Sequence, residues 1–177
     1  MKMKAIIVYN SKTGFSERYA RWAAEELGCE AIPYKSFDKA VAGGGGLVVF
    51  FSRVIAGKIE KLDDIKKLLG GQADGRLIVA AVGAASAAAA ATVEKYWTDN
   101  FSENELTSIP HFYLQGGIDF EKMGFGEKSV LKMVSKLLKN KKDKTEEEAD
   151  FERVLAGSSD NSSRDYIKPL VEYVTNR

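Results

Sequence analysis

The sequence has little of the material from which disulfide frameworks, metal centres and membrane spans are built. Its 177 residues include one cysteine and one histidine, so no internal disulfide can form and a site of several Cys and His ligands is excluded. No apolar run approaches the roughly 18 residues that a membrane-spanning helix needs. The first residues read as a strand and not as a signal peptide. We therefore expect a single-domain protein of the reducing cytoplasm, with no membrane span.

An excess of either charge is also missing, since 26 basic side chains face 25 acidic ones. The two signs are nevertheless separated near the C-terminus, where lysines precede acids. These residues are Lys132, Lys136, Lys139, Lys141, Lys142 and Lys144, followed by Glu146, Glu147, Glu148, Asp150 and Glu152. We interpret them as a solvated surface, and the alternative is a lysine patch for an anionic partner or a membrane surface. Aromatic residues do not interleave with the lysines, so no nucleic-acid partner is predicted.

What the sequence does contain is an alternation of strands and helices. The predicted strands cover residues 4–9, 29–34, 47–52, 77–82 and 111–114. The predicted helices cover 15–27, 58–69, 87–100, 128–139, 144–155 and 163–174. Three strands are almost entirely apolar, which is typical of a parallel sheet covered on both faces. Right-handed crossovers between five such strands predict a doubly wound α/β domain.

The end of the first strand carries the strongest functional signal. An apolar run at residues 6–9 passes directly into the hydroxyl loop, which we define as residues 11–16, and then into a helical pattern. The N–H groups that open a helix have no partners in the helix, and the helix dipole makes this end partly positive. The hydroxyl loop can therefore hold a phosphate. Its single glycine and the position of Lys12 exclude both the P-loop and the dinucleotide-binding pattern.

Residues 7–16, with Ala20 one turn later, resemble the phosphate-loop signature of the flavodoxin family. In that family an aromatic residue ends the strand, and hydroxyl residues with one small residue surround the phosphate of FMN. Ser11, Thr13, Gly14 and Ser16 fall on those positions. The resemblance implies noncovalent FMN binding and a five-stranded parallel sheet of order 2-1-3-4-5, with FMN at the switch between the first and third strands.

The resemblance also assigns residues to the cofactor. The phosphate is expected in the hydroxyl loop, at Ser11, Lys12, Thr13, Gly14, Phe15 and Ser16. The flat ring is expected between the loops that follow the third and fourth strands, at Ser52, Arg53, Val54, Ile55, Ala56, Gly57, Gly83, Ala84, Ala85 and Ser86. Neither loop carries the aromatic residue that commonly stacks on the ring in this family. The alanine-rich run at 84–91 would form a bare wall beside the ring.

Two further stretches resemble one subgroup of the family. Residues 111–120 contain a strand end followed by Gly116, Gly117 and Asp119, as in the flavodoxin-like protoporphyrinogen dehydrogenases that carry FMN. Residues 165–174 are similar to the terminal helix of that subgroup. A tight turn at Gly116 and Gly117, capped by Asp119, is the structural alternative. We predict a flavodoxin-like domain at 1–142 and a helical extension at 143–177 that packs on it.

Three functions remain open on the sequence. The first is an FMN-binding electron carrier that meets a redox partner protein or a small electron donor or acceptor. The second is an FMN-dependent oxidoreductase, similar to a protoporphyrinogen dehydrogenase or to a quinone or flavin reductase. The third is a flavodoxin-shaped binding module that has lost its flavin. No side chain offers an obvious catalytic acid, base or nucleophile and no metal site is predicted, so turnover would depend on the flavin. A homodimer through the terminal helices is an open alternative.

Overall fold

Six strands form one sheet in the computed structural model, which describes residues 5–177. They are β1 (Ala5–Asn10), β2 (Glu30–Pro33), β3 (Leu47–Ile55), β4 (Lys58–Ile59), β5 (Leu77–Gly83) and β6 (His111–Gln115). Five of them run parallel in the order β2-β1-β3-β5-β6. These five are the predicted strands. Because β4 is not one of them, β5 and β6 are the fourth and fifth predicted strands, so the doubly wound fold and the order 2-1-3-4-5 are confirmed. Residue 4, the predicted start of the first strand, lies outside the described residues.

Eight α-helices accompany the sheet within the same residues. They are α1 (Phe15–Leu27), α2 (Lys39–Ala42), α3 (Leu62–Leu69), α4 (Ala90–Asn100), α5 (Glu103–Ser108), α6 (Phe125–Asn140), α7 (Glu146–Val154) and α8 (Lys168–Thr175). The prediction for 15–27 matches α1 at both ends. Helix α4 begins three residues later than predicted, and a 3-10 turn at Arg164–Ile167 precedes α8. Pro169 lies in the first turn of α8, where its missing N–H is not needed.

The predicted helix at 58–69 is wrong in its first part. Lys58 and Ile59 form β4, which pairs antiparallel with the end of β3, and α3 begins only at Leu62. Ala56 and Gly57 adopt left-handed φ angles of 48° and 79°, so the chain reverses tightly between the two strands. Ile59 is thereby buried against the sheet. Ile59, whose position fits helical spacing in the sequence, therefore belongs to a β-hairpin.

Side chains that alternate along the strands form two cores, one on each face of the sheet. Val49 and Phe51 of β3 pack on the side of α1 and α8, while Val48 and Phe50 pack on the side of α3 and α4. All four are less than 2% exposed. Fully burying such a side chain contributes about 1.5–3 kcal/mol. This central strand therefore fixes the position of the residues at its carboxyl end.

Helices α6 and α7 belong to an excursion between β6 and the last helix. Two short strands, β7 (Gly117–Ile118) and β8 (Ser159–Asp160), pair antiparallel where the excursion leaves and returns. Neither α6 nor α7 contains a fully buried residue. The predicted division at 142/143 falls between these two helices and stays a prediction. Among residues 5–177, no helix combines the length and apolar character required to cross a bilayer.

Candidate functional site

A cavity of ≈ 310 Å³ lies at the carboxyl ends of β1, β3 and β5. Its floor and walls come from the hydroxyl loop and from the ends of β3 and β5. We call α6 and α7 the roof helices, because they supply Glu127, Val130, Leu131, Val134 and Phe151 to its lining. The volume falls in the range of small-molecule and cofactor sites. Ligands of open α/β sheets bind at this edge, where the strand order reverses.

The hydroxyl loop presents unsatisfied hydrogen-bonding groups to this cavity. Gly14 precedes α1 with a left-handed φ of 97°, and as the N-cap residue it offers no side chain to cap the helix. The Gly14 N–H donates to Ser11 Oγ at 3.2 Å. Ser16 is 1% exposed, and its Oγ has no hydrogen-bond partner among residues 5–177 although the residue lines the cavity. Since a buried hydroxyl without a partner costs free energy, this geometry favours an anion as the missing partner.

An ionic network connects α6, the first roof helix, to the floor of the site. Glu127 of α6 accepts hydrogen bonds from Arg53 Nη2 at 2.7 Å and pairs with Lys12 Nζ at 2.9 Å. Arg53 also donates from Nε to Glu60 Oε2 at 2.7 Å, and Asn10 donates to the same oxygen at 3.0 Å. Lys12 thus lies outside the cavity lining, and its positive charge is paired with the carboxylate of Glu127. These ion pairs form a charged rim on one side of a cavity whose lining is otherwise mostly apolar.

A comparison with protein families decides the assignment. The profile of the flavodoxin domain family matches residues 6–145. The chain belongs to the flavodoxin domain family. The match covers the hydroxyl loop, all strands of the parallel sheet and α6, and it ends as α7 begins. Membership supports a flavin-binding redox protein in general terms. No curated protein matches the chain.

Solved structures also match this flavodoxin-domain protein, at low identity. A flavodoxin from the domain Archaea is 15% identical, with 64% of this chain and 85% of that chain covered and a TM-score of 0.41. Two-electron reduced Megasphaera elsdenii flavodoxin is 14% identical, with coverages of 62% and 82% and a TM-score of 0.43. The Flv1 flavodiiron core from Synechocystis sp. PCC6803 is 14% identical, with coverages of 87% and 36% and a TM-score of 0.45.

The cavity of this flavodoxin-domain protein brings together most of the residues that the sequence proposed. Those in the lining are Ser11, Thr13, Phe15, Ser16, Arg53, Val54, Ile55, Ala56, Gly57, Gly83 and Ala84. The other five lie beside it. Lys12 pairs with Glu127, and Ser52 is buried and donates to the Glu60 carbonyl at 2.6 Å. Gly14 shapes the loop, Ala85 is buried, and Ser86 faces a separate groove next to α7.

Sequence reasoning missed the residues that distant elements bring to the cavity. They are Val82, Tyr96, Gly117, Ile118, Asp119, Met123, Glu127, Val130, Leu131, Val134 and Phe151. Tyr96 and Phe151 place aromatic side chains in the lining, although the two ring loops contain none. Two sequence signals touch this group: the stretch around Gly117 and Asp119 that resembles one subgroup of the family, and the apolar spacing of 130, 131 and 134 on one side of the α6 pattern. Nothing in that pattern indicated which surface the helix would cover.

Two tyrosines, Tyr96 in the cavity lining and Tyr113 behind it, keep their protons. Burial raises the pKa of Tyr96 and also that of Tyr113, whose hydroxyl donates to the Ala85 carbonyl at 2.7 Å. The ring centroids lie 5.8 Å apart. A neutral phenol contributes apolar surface without a compensating charge. The wall near Gly83 is therefore uncharged, in contrast to the rim at Arg53.

Replacing Glu127 with Gln should cost about 2 kcal/mol of the free energy of unfolding at pH 7 and almost nothing near pH 2. Burial alone would raise the pKa of Glu127, but hydrogen bonds from Arg53 and Lys12 outweigh it and lower the pKa to about 2, from an ordinary 4.5. Since the folded-state pKa is depressed, the stabilisation is complete above pH 4.5 and is lost as pH falls towards 2. Urea unfolding of both proteins across this range measures it.

The exposed Glu121 offers a matched control, because Glu121→Gln removes a carboxylate from a solvated position. The free energy of unfolding of this variant should stay within about 0.5 kcal/mol of the parent value at every pH. A Glu127→Gln deficit that did not change between pH 7 and pH 2 would contradict the ionic explanation.

Proposed function

We propose that this protein binds FMN noncovalently and transfers electrons. The observation that carries the proposal is the buried, unpartnered Ser16 hydroxyl at the uncapped start of α1, next to a mostly apolar cavity. A phosphate is the anion that satisfies such a group, and an apolar cavity suits a flat aromatic ring. Both features therefore favour one ligand that carries both parts.

The residues in the lining fit the two ends of FMN. Ser11, Thr13 and Ser16, with the N–H groups that open α1, would hold the phosphate. Residues 53–57 and 83–84 would line the ring, with Val54 and Ile55 as apolar cover. Bound FMN supplies the electron-transfer chemistry. The protein would contribute orientation, exclusion of water by the roof helices, and neutral hydrogen-bonding groups near the ring.

An FMN-dependent oxidoreductase is the second candidate. The observation that favours it is the apolar lining from α6 and the segment before it, since Met123, Val130, Leu131 and Val134 add contact surface beyond the strand ends. Such surface would suit an apolar donor or acceptor. Similarity to the protoporphyrinogen dehydrogenases, or to quinone or flavin reductases, belongs to this candidate. Turnover with a small donor and acceptor would favour it over a simple carrier.

The remaining parts of the proposal concern organisation and partners. We propose a flavodoxin-like domain at 1–142 with a helical extension at 143–177 that packs on it, as the burial of Ile167 and Leu170 suggests. The physiological partner would be a redox protein or a small electron donor or acceptor. A reducing, cytoplasmic location fits Cys29, whose thiol pKa is raised by burial and which is a free cysteine.

Absorbance of the purified chain, with and without added FMN, tests the proposal. An electron carrier should bind one FMN per chain and show two separated one-electron steps in a redox titration. An oxidoreductase should also turn over a donor and an acceptor. A chain that stays colourless at saturating FMN would overturn both and would leave a binding module that has lost its flavin.

Replacing Ser16 with Ala should weaken the binding of FMN without lowering the stability of the flavin-free protein. The flavin-free protein should keep its free energy of unfolding or gain about 1 kcal/mol, because an unsatisfied buried hydroxyl is removed. Affinity for FMN should fall about ten- to a hundredfold, because a hydrogen bond to a charged group contributes about 1.5–3 kcal/mol. Urea unfolding and fluorescence titration measure the two effects.

Ser36→Ala serves as the control, since Ser36 is exposed in the 3-10 turn Tyr34–Ser36. Neither quantity should change in this variant. If Ser16→Ala bound FMN as tightly as the parent, the phosphate would not contact Ser16.

A further inference from the structure

The outer face of α6 exposes apolar side chains that the fold leaves uncovered. We define this face by Phe125, Met133 and Leu137, with exposed fractions of 89%, 58% and 66%, and by Lys128, Lys132, Lys136 and Lys139. In the described part of the chain, five large apolar residues are exposed, and three of them lie on this one helix. Scattered exposed residues are ordinary, but a stripe along one helix marks an interaction surface.

Lysines flank the apolar stripe. The four lysines of the outer face follow one another at intervals of three or four residues, so they form a row along one side of the helix. None of them takes part in an ion pair within residues 5–177, whereas Lys141 and Lys144 pair with Glu148 and Glu152. The outer face therefore carries positive charge that no acidic side chain of the described residues pairs with.

Acidic residues near the helix point elsewhere. Glu127 is the only acid of α6, and it faces inward to Arg53 and Lys12. Several acids of α7 line the groove against the alanine-rich loop; these are Glu146, Glu147, Glu148 and Asp150. The outer face of α6 thus combines apolar and cationic side chains without an opposing negative charge.

We propose that the outer face of α6 docks on the surface of an anionic lipid bilayer. A helix of this kind lies in the interfacial plane, with its apolar stripe at the acyl boundary and its lysines among anionic headgroups. A fluid bilayer accepts side chains as different in shape as Phe, Met and Leu without a complementary pocket. The uncompensated lysine row supplies the charge complementarity that selects anionic over neutral lipid.

Docking would also place the candidate site next to the bilayer. The inner face of α6 contributes Val130, Leu131 and Val134 to the cavity, so one helix would contact lipid on one side and the cavity on the other. Apolar compounds dissolved in the bilayer would then have a short path to the site. The docking itself needs no flavin, so it can be tested on the flavin-free chain and separately from FMN binding.

Sedimentation of the full chain with vesicles tests the proposal. The protein should bind vesicles of mixed phosphatidylglycerol and phosphatidylcholine, should not bind pure phosphatidylcholine, and should be released by salt. The double variant Lys132→Glu/Lys136→Glu should bind at least about a hundredfold more weakly, since each lysine contributes about fivefold and each new carboxylate is repelled. Phe125→Ala should lose about tenfold through smaller apolar burial.

The double variant Lys35→Glu/Lys39→Glu is the matched control, because it changes net charge equally at two exposed lysines outside α6. It should retain binding within about fivefold. Equal losses in both double variants, or no binding to anionic vesicles by the folded parent, would overturn the proposal. A dimer that Phe125→Ala dissociates, without vesicle binding, would assign the face to a second copy of the chain and would also overturn it. Circular dichroism confirms that each variant is folded.

Discussion

Replacing Thr13 with Asp should lower the affinity for FMN about a thousandfold and leave the affinity for riboflavin within about threefold. Thr13 lines the cavity in the hydroxyl loop, directly before the left-handed Gly14. A carboxylate there would lie close to the proposed phosphate. Two like charges about 4 Å apart repel by about 4 kcal/mol at an effective dielectric of 20. Riboflavin has no phosphate, so it does not experience this repulsion.

A less stable fold should not be the cause of the lower FMN affinity of Thr13→Asp. An acidic side chain near the start of a helix is favourable by about 0.3–1 kcal/mol, so the flavin-free Thr13→Asp protein should be at least as stable as the parent. Thr13→Asn is the matched control, with a similar shape and no charge, and it should bind FMN within about tenfold of the parent. Fluorescence titration with both ligands measures these affinities. Unchanged FMN binding by Thr13→Asp would place the phosphate away from α1.

Replacing Gly117 with Ala should cost at least about 3 kcal/mol of the free energy of unfolding. A Cβ atom at this position would lie 1.9 Å from the carbonyl oxygen of Ser159 and 2.9 Å from Cζ of Phe15. The oxygen belongs to the backbone of β8, which pairs with β7, so it cannot move without breaking that pair. Because Phe15 lines the cavity, FMN binding should weaken as well. Urea unfolding and flavin titration measure the two losses.

Gly126→Ala is the comparison within the same excursion. A Cβ atom at Gly126 meets no atom of residues 5–177 within 4 Å, and the residue lies inside α6. This substitution should therefore stabilise the protein by about 0.5–1 kcal/mol, because alanine loses less entropy in a helix. Equal unfolding midpoints for the two variants would mean that β7 and β8 do not pair as described.

The hydroxyl loop could be recognised before the structure was known, because all its residues are contiguous in the sequence. A strand end, a left-handed glycine and the first turn of α1 follow one another within residues 9–16, and each is a local preference. The helix at 15–27 is also local, since glycines in left-handed conformations, Gly14 and Gly28, bound it on either side. The apolar strands were equally legible, because burial on both faces leaves no room for polar residues.

The reversal at Ala56 and Gly57 shows where local pattern failed. Residues 58–69 carry apolar side chains at helical spacing. Nevertheless, Lys58 and Ile59 pair with β3 as strand β4 and do not join the helix. Ala56 adopts a left-handed conformation that its residue type disfavours. The backbone pairs with β3 offset that cost, together with hydrogen bonds between Asn100 and the backbone of Gly57 and Ile59. The conformation of Ala56 therefore depends on tertiary contacts, and the pattern of neighbouring residues in the sequence does not indicate it.

Contiguous sequence thus determined the five parallel strands, helix α1 and the loop that offers unsatisfied amides and hydroxyls, since short-range sterics and burial act on neighbours. The family resemblance supplied the strand order, and the sheet pairing confirmed it. The roof over the cavity arose differently. Glu127 reaches Arg53 across 74 positions, and Tyr96 and Phe151 approach the site from separate helices. Such contacts arise from how packed elements meet in space, which the spacing of residues along one chain does not encode.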